Sequence, residues 1–462
     1  MVDSSFPTLS LVFASVHYLI VLVCSYVAMR IIMQRGVSII FSPHACFFIV
    51  SELYFSVSVL KYFRLDEGGF GFLGVTRIEQ FVGYLIGQIT LIIIAFNIDG
   101  QKQLGKERFD RFFIESKTAI SILALSFAVI SAAVKITLLA NGYGSIYTEA
   151  EYNKIILRAD QDSIWINTAE ILDQITWVLA LIGFLSAPSS WHGARRLLYL
   201  SILIITAFAS VYISRSRLAI GVFFIIGLIV YQWVQPKKGL QYIFSVIILA
   251  PLFLLTMPLI GFVLSRDNIT GDNYTESMIE SSYRADLTDF AYLVCKNTSI
   301  IQVDLSLVNN GILNAVPSVL LKSKKDFLVD QYAVNLERLG LVSRNSAGQE
   351  LVDYQDSYFS SGVMCFGWIG FIFMPILFVE IGSLVLKIVL RGNLTFDKVL
   401  IAIPFGLMFL RIEVEYGNII INFRNAFQSS VIISVLWYAI KYILRGNQVS
   451  NGLHRGWTRV AN

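Results

Sequence analysis

Apolar runs of about 20 residues, each long enough to carry a helix across a hydrocarbon layer roughly 30 Å thick, recur along nearly the whole chain. They predict membrane spans at Leu9–Met33, Ile39–Leu60, Ile78–Ile98, Thr118–Ala140, Ile166–Ala187, Leu197–Ile213, Leu218–Val234, Leu240–Leu264, Gly362–Leu386, Phe396–Glu415 and Ala426–Leu444. Helices are the expected vehicle, because hydrocarbon offers no partner to an unpaired backbone group. The expectation is an all-α polytopic membrane protein of about 11 transmembrane helices, with residues 1–462 forming one integral membrane domain. The first run carries Asp3 where a secretory leader carries basic residues, and no small-residue cleavage site follows, so it is expected to stay in the mature protein. One long polar stretch, Ser265–Ser361, interrupts the pattern between the eighth and ninth spans. Within it Leu287, Phe290, Leu293 and Val294 recur at helical spacing, and Gly311–Leu321 is apolar around Pro317. This predicts one or two helices lying on or dipping into the membrane surface.

Composition excludes a water-soluble fold. Hydrophobic residues make up 56% and charged residues 15%, with a mean hydropathy of +0.67, against about 25% charge in soluble domains. The net charge of +4 matters less than where it falls. With the N-terminus outside, the cytoplasmic face collects about 18 basic residues, among them Arg30, Arg35, Arg195, Arg196, Lys237 and Arg445. The short loops opposite hold about 9, so the N-terminus and the 265–361 loop are expected outside and the C-terminus in the cytoplasm. The four cysteines have no metal-ligand spacing and read as small apolar fillers, with a Cys295–Cys365 pairing as the alternative. No metal site, cofactor or nucleic-acid partner is expected.

Ionisable residues near the outer ends of spans ask for a reason, since a charge at mid-bilayer costs ~2.5–3.5 kcal/mol on insertion scales. Arg215 and Arg217 form most of one tight outer link; Arg411, Glu413, Glu415 and Arg424 surround the last outer loop; Arg284 and Asp286 open the amphipathic stretch of the long loop. Lys135 lies slightly below the outer end of its span, and Glu170 and Asp173 share a face of the next. One reading is that these arginines snorkel to headgroups and the acids pair with them. The other is an anion held outside: a guanidinium stays charged and grips phosphate oxygens through a bidentate fork, and a diphosphate is the polyanion a membrane offers.

Four segments carry a family resemblance: Arg215-Ser216-Arg217 running into a span, Tyr283-Arg284-Ala285-Asp286-Leu287, Val316-Pro317-Ser318 followed by Lys324-Lys325, and Asp356-Ser357-Tyr358-Phe359 leading to Gly362, Gly367 and Gly370. Together with the hydropathy they resemble the Wzy-type O-antigen polymerases, chiefly from Arg215 onward. The resemblance implies a glycosyltransferase of the bacterial inner membrane. It would move a growing glycan from undecaprenyl diphosphate onto a new lipid-linked repeat unit at the periplasmic face, beside the flippase and chain-length regulator of the same pathway. It also implies positioned cations on the leaving diphosphate and a carboxylate base for the acceptor hydroxyl. Arg215, Arg217 and Arg411 then fall on the diphosphate, Arg284 on the donor or its acidic neighbours, and Asp286 or Glu413 at the base position. Arg424, Asp356, Tyr283, Glu170 and Asp173 support them, Tyr283 as a surface for sugar rings. The alternatives are an O-antigen ligase, another polyprenyl-linked glycosyltransferase using Asp66 and Glu67, or a transporter of lipid-linked oligosaccharide. The ligase reading suffers from the lack of any histidine between Ser265 and Ser361.

Overall fold

The computed structural model describes residues 6–63, 76–98, 117–140, 172–173, 175–181, 197–206, 226, 287–316, 357–410 and 416–451. Every regular element among the described residues is helical. Three helices, Ser10–Arg35, Arg77–Phe96 and Trp368–Val389, are long and apolar enough to cross a membrane. The protein is therefore a helical membrane protein.

Helix α1 (Phe6–Arg35) buries Ala14, His17, Val21, Cys24 and Ala28, an alternating spacing of three and four that makes one narrow stripe. Leu11, Val12, Leu19, Val23 and Tyr26 are exposed around the rest of its surface, as suits contact with lipid. The expected second span, Ile39–Leu60, is not one continuous helix. A 3₁₀ turn (Gly36–Phe41) precedes α2 (Pro43–Ser58), and another (Val59–Phe63) follows it. Pro43 is the cause of the first break: it sits at the start of α2, where its missing N–H costs nothing, and holds Ser42 extended. α2 is buried nearly all round and forms the centre of the bundle.

Helix α3 (Arg77–Phe96) starts on a capping box, in which Thr76 Oγ1 accepts from Glu79 N–H while Glu79 accepts from Thr76 N–H. Its buried face carries Gln80, Tyr84 and Gln88 at intervals of four, with Gly83 and Gly87 beside them. A methyl group on Gly87 would lie 2.8 Å from Thr288 Cγ2, so the two glycines are what lets another helix approach. Helix α4 (Lys117–Ala140) packs beside helical residues 175–181 and Leu197–Thr206, where the Trp177 indole N–H donates to Thr206 Oγ1 at 2.9 Å.

The approaching helix is α5 (Asp289–Lys296), in the long polar stretch. Leu287 just before α5 and Phe290, Leu293 and Val294 within it are all buried, as their helical spacing allows. The helix is wedged between α3 and the helix that follows the long stretch, burying Asp289 and Cys295 as well. Helix α6 (Ser306–Ala315) ends at Val316, held extended before Pro317. It packs along the last helix.

The expected span Gly362–Leu386 is also divided. α7 (Tyr358–Phe366) runs antiparallel to α8 (Trp368–Val389), and the bend falls at Gly367, whose φ of 66° suits glycine. Gly362 and Gly370 meet backbone to backbone, with no room for a Cβ on either. Phe378 lies ten residues down α8, roughly 15 Å from its start at the helical rise, and stacks on Tyr358. α7 therefore begins about midway along α8. α5 likewise begins beside Gly87, about midway along α3. α9 (Phe396–Leu407) passes into a 3₁₀ turn (Met408–Leu410), and α10 (Tyr416–Asn451) extends well past the expected Ala426–Leu444 at both ends. Of the remaining expected spans, Ile166–Ala187, Leu197–Ile213 and Leu218–Val234 are described only in part, and Leu240–Leu264 lies outside the described residues.

Candidate functional site

The buried N-termini of α5 and α7 meet. Ser357 Oγ donates to Leu287 O at 2.7 Å, and the same hydroxyl caps α7 by accepting from Ser360 N–H while Ser357 N–H donates to Ser360 Oγ at 2.9 Å. One turn of chain away, the Phe378 ring collects three others: Tyr358 stacked at 4.4 Å, Phe409 tilted at 4.7 Å and Phe423 edge-on at 6.0 Å. These contacts link α8, through Phe378, with four other chain segments.

Those four segments carry candidate residues at their next positions. Asp286 precedes Leu287, Asp356 precedes Ser357, Arg411 follows Leu410 and Arg424 follows Phe423. Of the candidates, Arg284, Asp286, Tyr283, Asp356, Arg215, Arg217, Arg411, Glu413 and Glu170 lie outside the described residues, leaving Arg424 and Asp173. The half-buried Arg424 donates from Nε and Nη2 to Asn425 Oδ1, at 3.2 and 2.9 Å. Asp173 is fully buried and engaged by Lys135 and Ser131 on α4, so its carboxylate ties two helices together.

Several polar contacts were not foreseen from the sequence. Lys61 Nζ donates to Asp289 Oδ1 at 2.6 Å with both side chains fully buried, which locks α5 to the turn after α2. At the other end of α5, Lys296 pairs with Glu79 at 2.8 Å. His17 accepts or donates at Tyr62 Oη (3.2 Å), donates to Phe55 O (2.9 Å) and stacks on Tyr84 at 3.5 Å. Glu52 receives the Gln88 amide N–H at 3.2 Å, and Cys24 donates to Gln88 Oε1 at 3.5 Å. His44 reaches Glu380 at 2.9 Å. A signal did exist: Glu52, Gln88 and Glu380 are polar residues in the middle of apolar runs, where a partner is required.

On α5, burial raises the Tyr292 hydroxyl pKa, with Glu79 adding to the effect, and burial alone pushes the Cys295 thiol up. All four cysteines are free and buried, Cys295 and Cys365 included, so the paired alternative is not present. Among the described residues no group of three or more His, Cys, Asp or Glu is arranged to hold a metal ion. Two buried ion pairs, Lys61 with Asp289 and Lys135 with Asp173, thus fix helix positions in the described interior. No family model matches the chain, and searches of curated proteins and of solved structures find no significant match.

Proposed function

We propose that the chain joins undecaprenyl-diphosphate-linked oligosaccharide units at the periplasmic face of a bacterial inner membrane, as a polymerase of the Wzy type. The observation that supports this reading is the convergence around Phe378 and the Leu287–Ser357 bond of the four segments whose next residues are Asp286, Asp356, Arg411 and Arg424. Two carboxylates and two guanidinium groups are the types needed to deprotonate an acceptor hydroxyl and to stabilise a leaving diphosphate. In this reading Arg411, with Arg215 and Arg217, holds the diphosphate; Arg284 orients the donor; Asp286 or Glu413 is the base; Asp356, Arg424 and Glu170 support them, and Tyr283 offers a surface for sugar rings. About eleven spans, an outside N-terminus and a cytoplasmic C-terminus complete the proposal.

A second reading has its own support. Glu52, His44, Lys61 with Asp289 and Lys135 with Asp173 lie inside the bundle, as ionisable residues do in transporters. The purified protein in vesicles, supplied with lipid-linked repeat units, separates the two. A ladder of longer glycans is the expected result, and movement of the lipid across the bilayer without new linkages would replace the polymerase by the transporter.

A further inference from the structure

Residues 301–305 read Ile-Gln-Val-Asp-Leu, and they are arranged inside out for a segment in water. Ile301 and Val303 are 67% and 73% exposed, Leu305 is exposed too, and Ile300 beside them is 72% exposed. Gln302 and Asp304, between them, turn toward the protein. Gln302 Nε2 donates to Met364 O at 2.7 Å and to Val363 O at 3.3 Å, which satisfies carbonyls at the end of α7. Asp304 N–H donates to Cys365 O at 2.8 Å, and its carboxylate accepts from Ser306 N–H at 2.9 Å as α6 begins. The strand-like alternation puts polar groups in and apolar groups out, and these four hydrogen bonds hold it there.

This ridge is not isolated. Its start packs against the Gly367 bend, where Ser299 O and Ile300 O fill the space a Cβ would need. The next turn of α8 exposes Ile369 and Phe373, and further down the same helix exposes Ile381, Leu384 and Ile388, the flank of a membrane-crossing helix. An exposed apolar patch facing water would be a liability, whereas one continuous with a lipid-facing helix flank belongs to the same solvent. We propose that Ile300, Ile301, Val303 and Leu305 form a fixed wedge inserted among the acyl chains of the bilayer, at the end of the membrane where α8 begins. The occupant of this surface is bulk phospholipid. The wedge is additional to the surface helices expected from sequence, since it is built from the link between α5 and α6.

The test uses the full chain in vesicles of phosphatidylethanolamine and phosphatidylglycerol containing a trace of phospholipid with a diazirine in its acyl chain. After illumination, adducts on the peptide spanning 300–305 should match in yield those on the peptide spanning Ile369 and Phe373. Labelling of α8 without labelling of 300–305 would overturn the proposal. Addition of undecaprenyl phosphate should leave the yield unchanged; displacement of the phospholipid adducts would assign the surface to a polyprenyl tail and equally overturn it. As a second readout, an environment-sensitive fluorophore on Val303→Cys should be quenched several-fold more by brominated acyl chains than the same probe on Asn309→Cys. Weak quenching at Val303, no greater than for the free fluorophore in buffer, would place the ridge in water.

Discussion

Lys61 and Asp289 are each the other's reason for being buried. An ion pair taken out of water gains little net stability, but removing one partner strands the remaining charge, at a cost of roughly 3–5 kcal/mol. Lys61→Met and Asp289→Asn should therefore each lower the unfolding midpoint in a denaturant titration of the detergent-solubilised protein. The double variant Lys61→Met with Asp289→Leu should recover most of the loss, and a double variant no better than either single one would show that the pair is not coupled. A milder consequence concerns Cys295: burial holds its thiol protonated at neutral pH. Alkylation in the folded protein should be slow even with a membrane-permeant maleimide, and rapid once the chain is unfolded. The catalytic proposal has its own residue-level test in Arg411→Lys and Arg424→Lys. Lysine keeps the charge and removes the fork. If a charge-assisted hydrogen bond of about 1.5–3 kcal/mol is lost, polymerisation falls roughly tenfold or more at unchanged membrane insertion. Near-normal glycan ladders from both variants would point to headgroup anchoring instead. Sequence spacing could single out these arginines, because guanidinium groups crowded on one face are visible in one dimension. It could not join Lys61 to Asp289, which are 228 positions apart.

At the scale of single elements, α1, α3 and α8 were legible because each is a long apolar run with lipid on one side. The α7–α8 bend was not, since residues on both sides of Gly367 are equally apolar and hydropathy cannot register a reversal within one apolar run. The glycines carry that information sterically, and they differ in how much they tolerate. Gly83→Ala places its methyl 3.2 Å from Tyr292 Cβ, a contact that a small shift relieves. Gly370→Ala drives its methyl into the Gly362 backbone, which cannot yield without separating the two helices. Thermal unfolding should register Gly83→Ala as near neutral and Gly370→Ala as a loss at the upper end of the overpacking range of about 1–3 kcal/mol. Similar midpoints for the two would mean that the hairpin is looser than its backbone contact implies.

Over the whole molecule, the sidedness of α6 is the point on which the proposed topology turns. Asn309 is exposed on α6. A cysteine there should react with an impermeant reagent in intact cells whose outer membrane has been opened, and reaction only after lysis would invert the orientation of the bundle. The candidate residues could be named from the sequence as types, but the meeting of the segments around Phe378 could not, because it depends on aromatic contacts that no periodicity relates. The long separation between Lys61 and Asp289 also imposes a timetable on biogenesis. Translation at about 5–20 residues per second leaves a lysine at position 61 waiting roughly 10–50 s before the aspartate 228 residues later has been synthesised. During that interval α2 is inserted without its counter-charge, and its lysine end must stay at the membrane surface. If α5 is what draws that end inward, chains truncated before α5 should be degraded rather than accumulate.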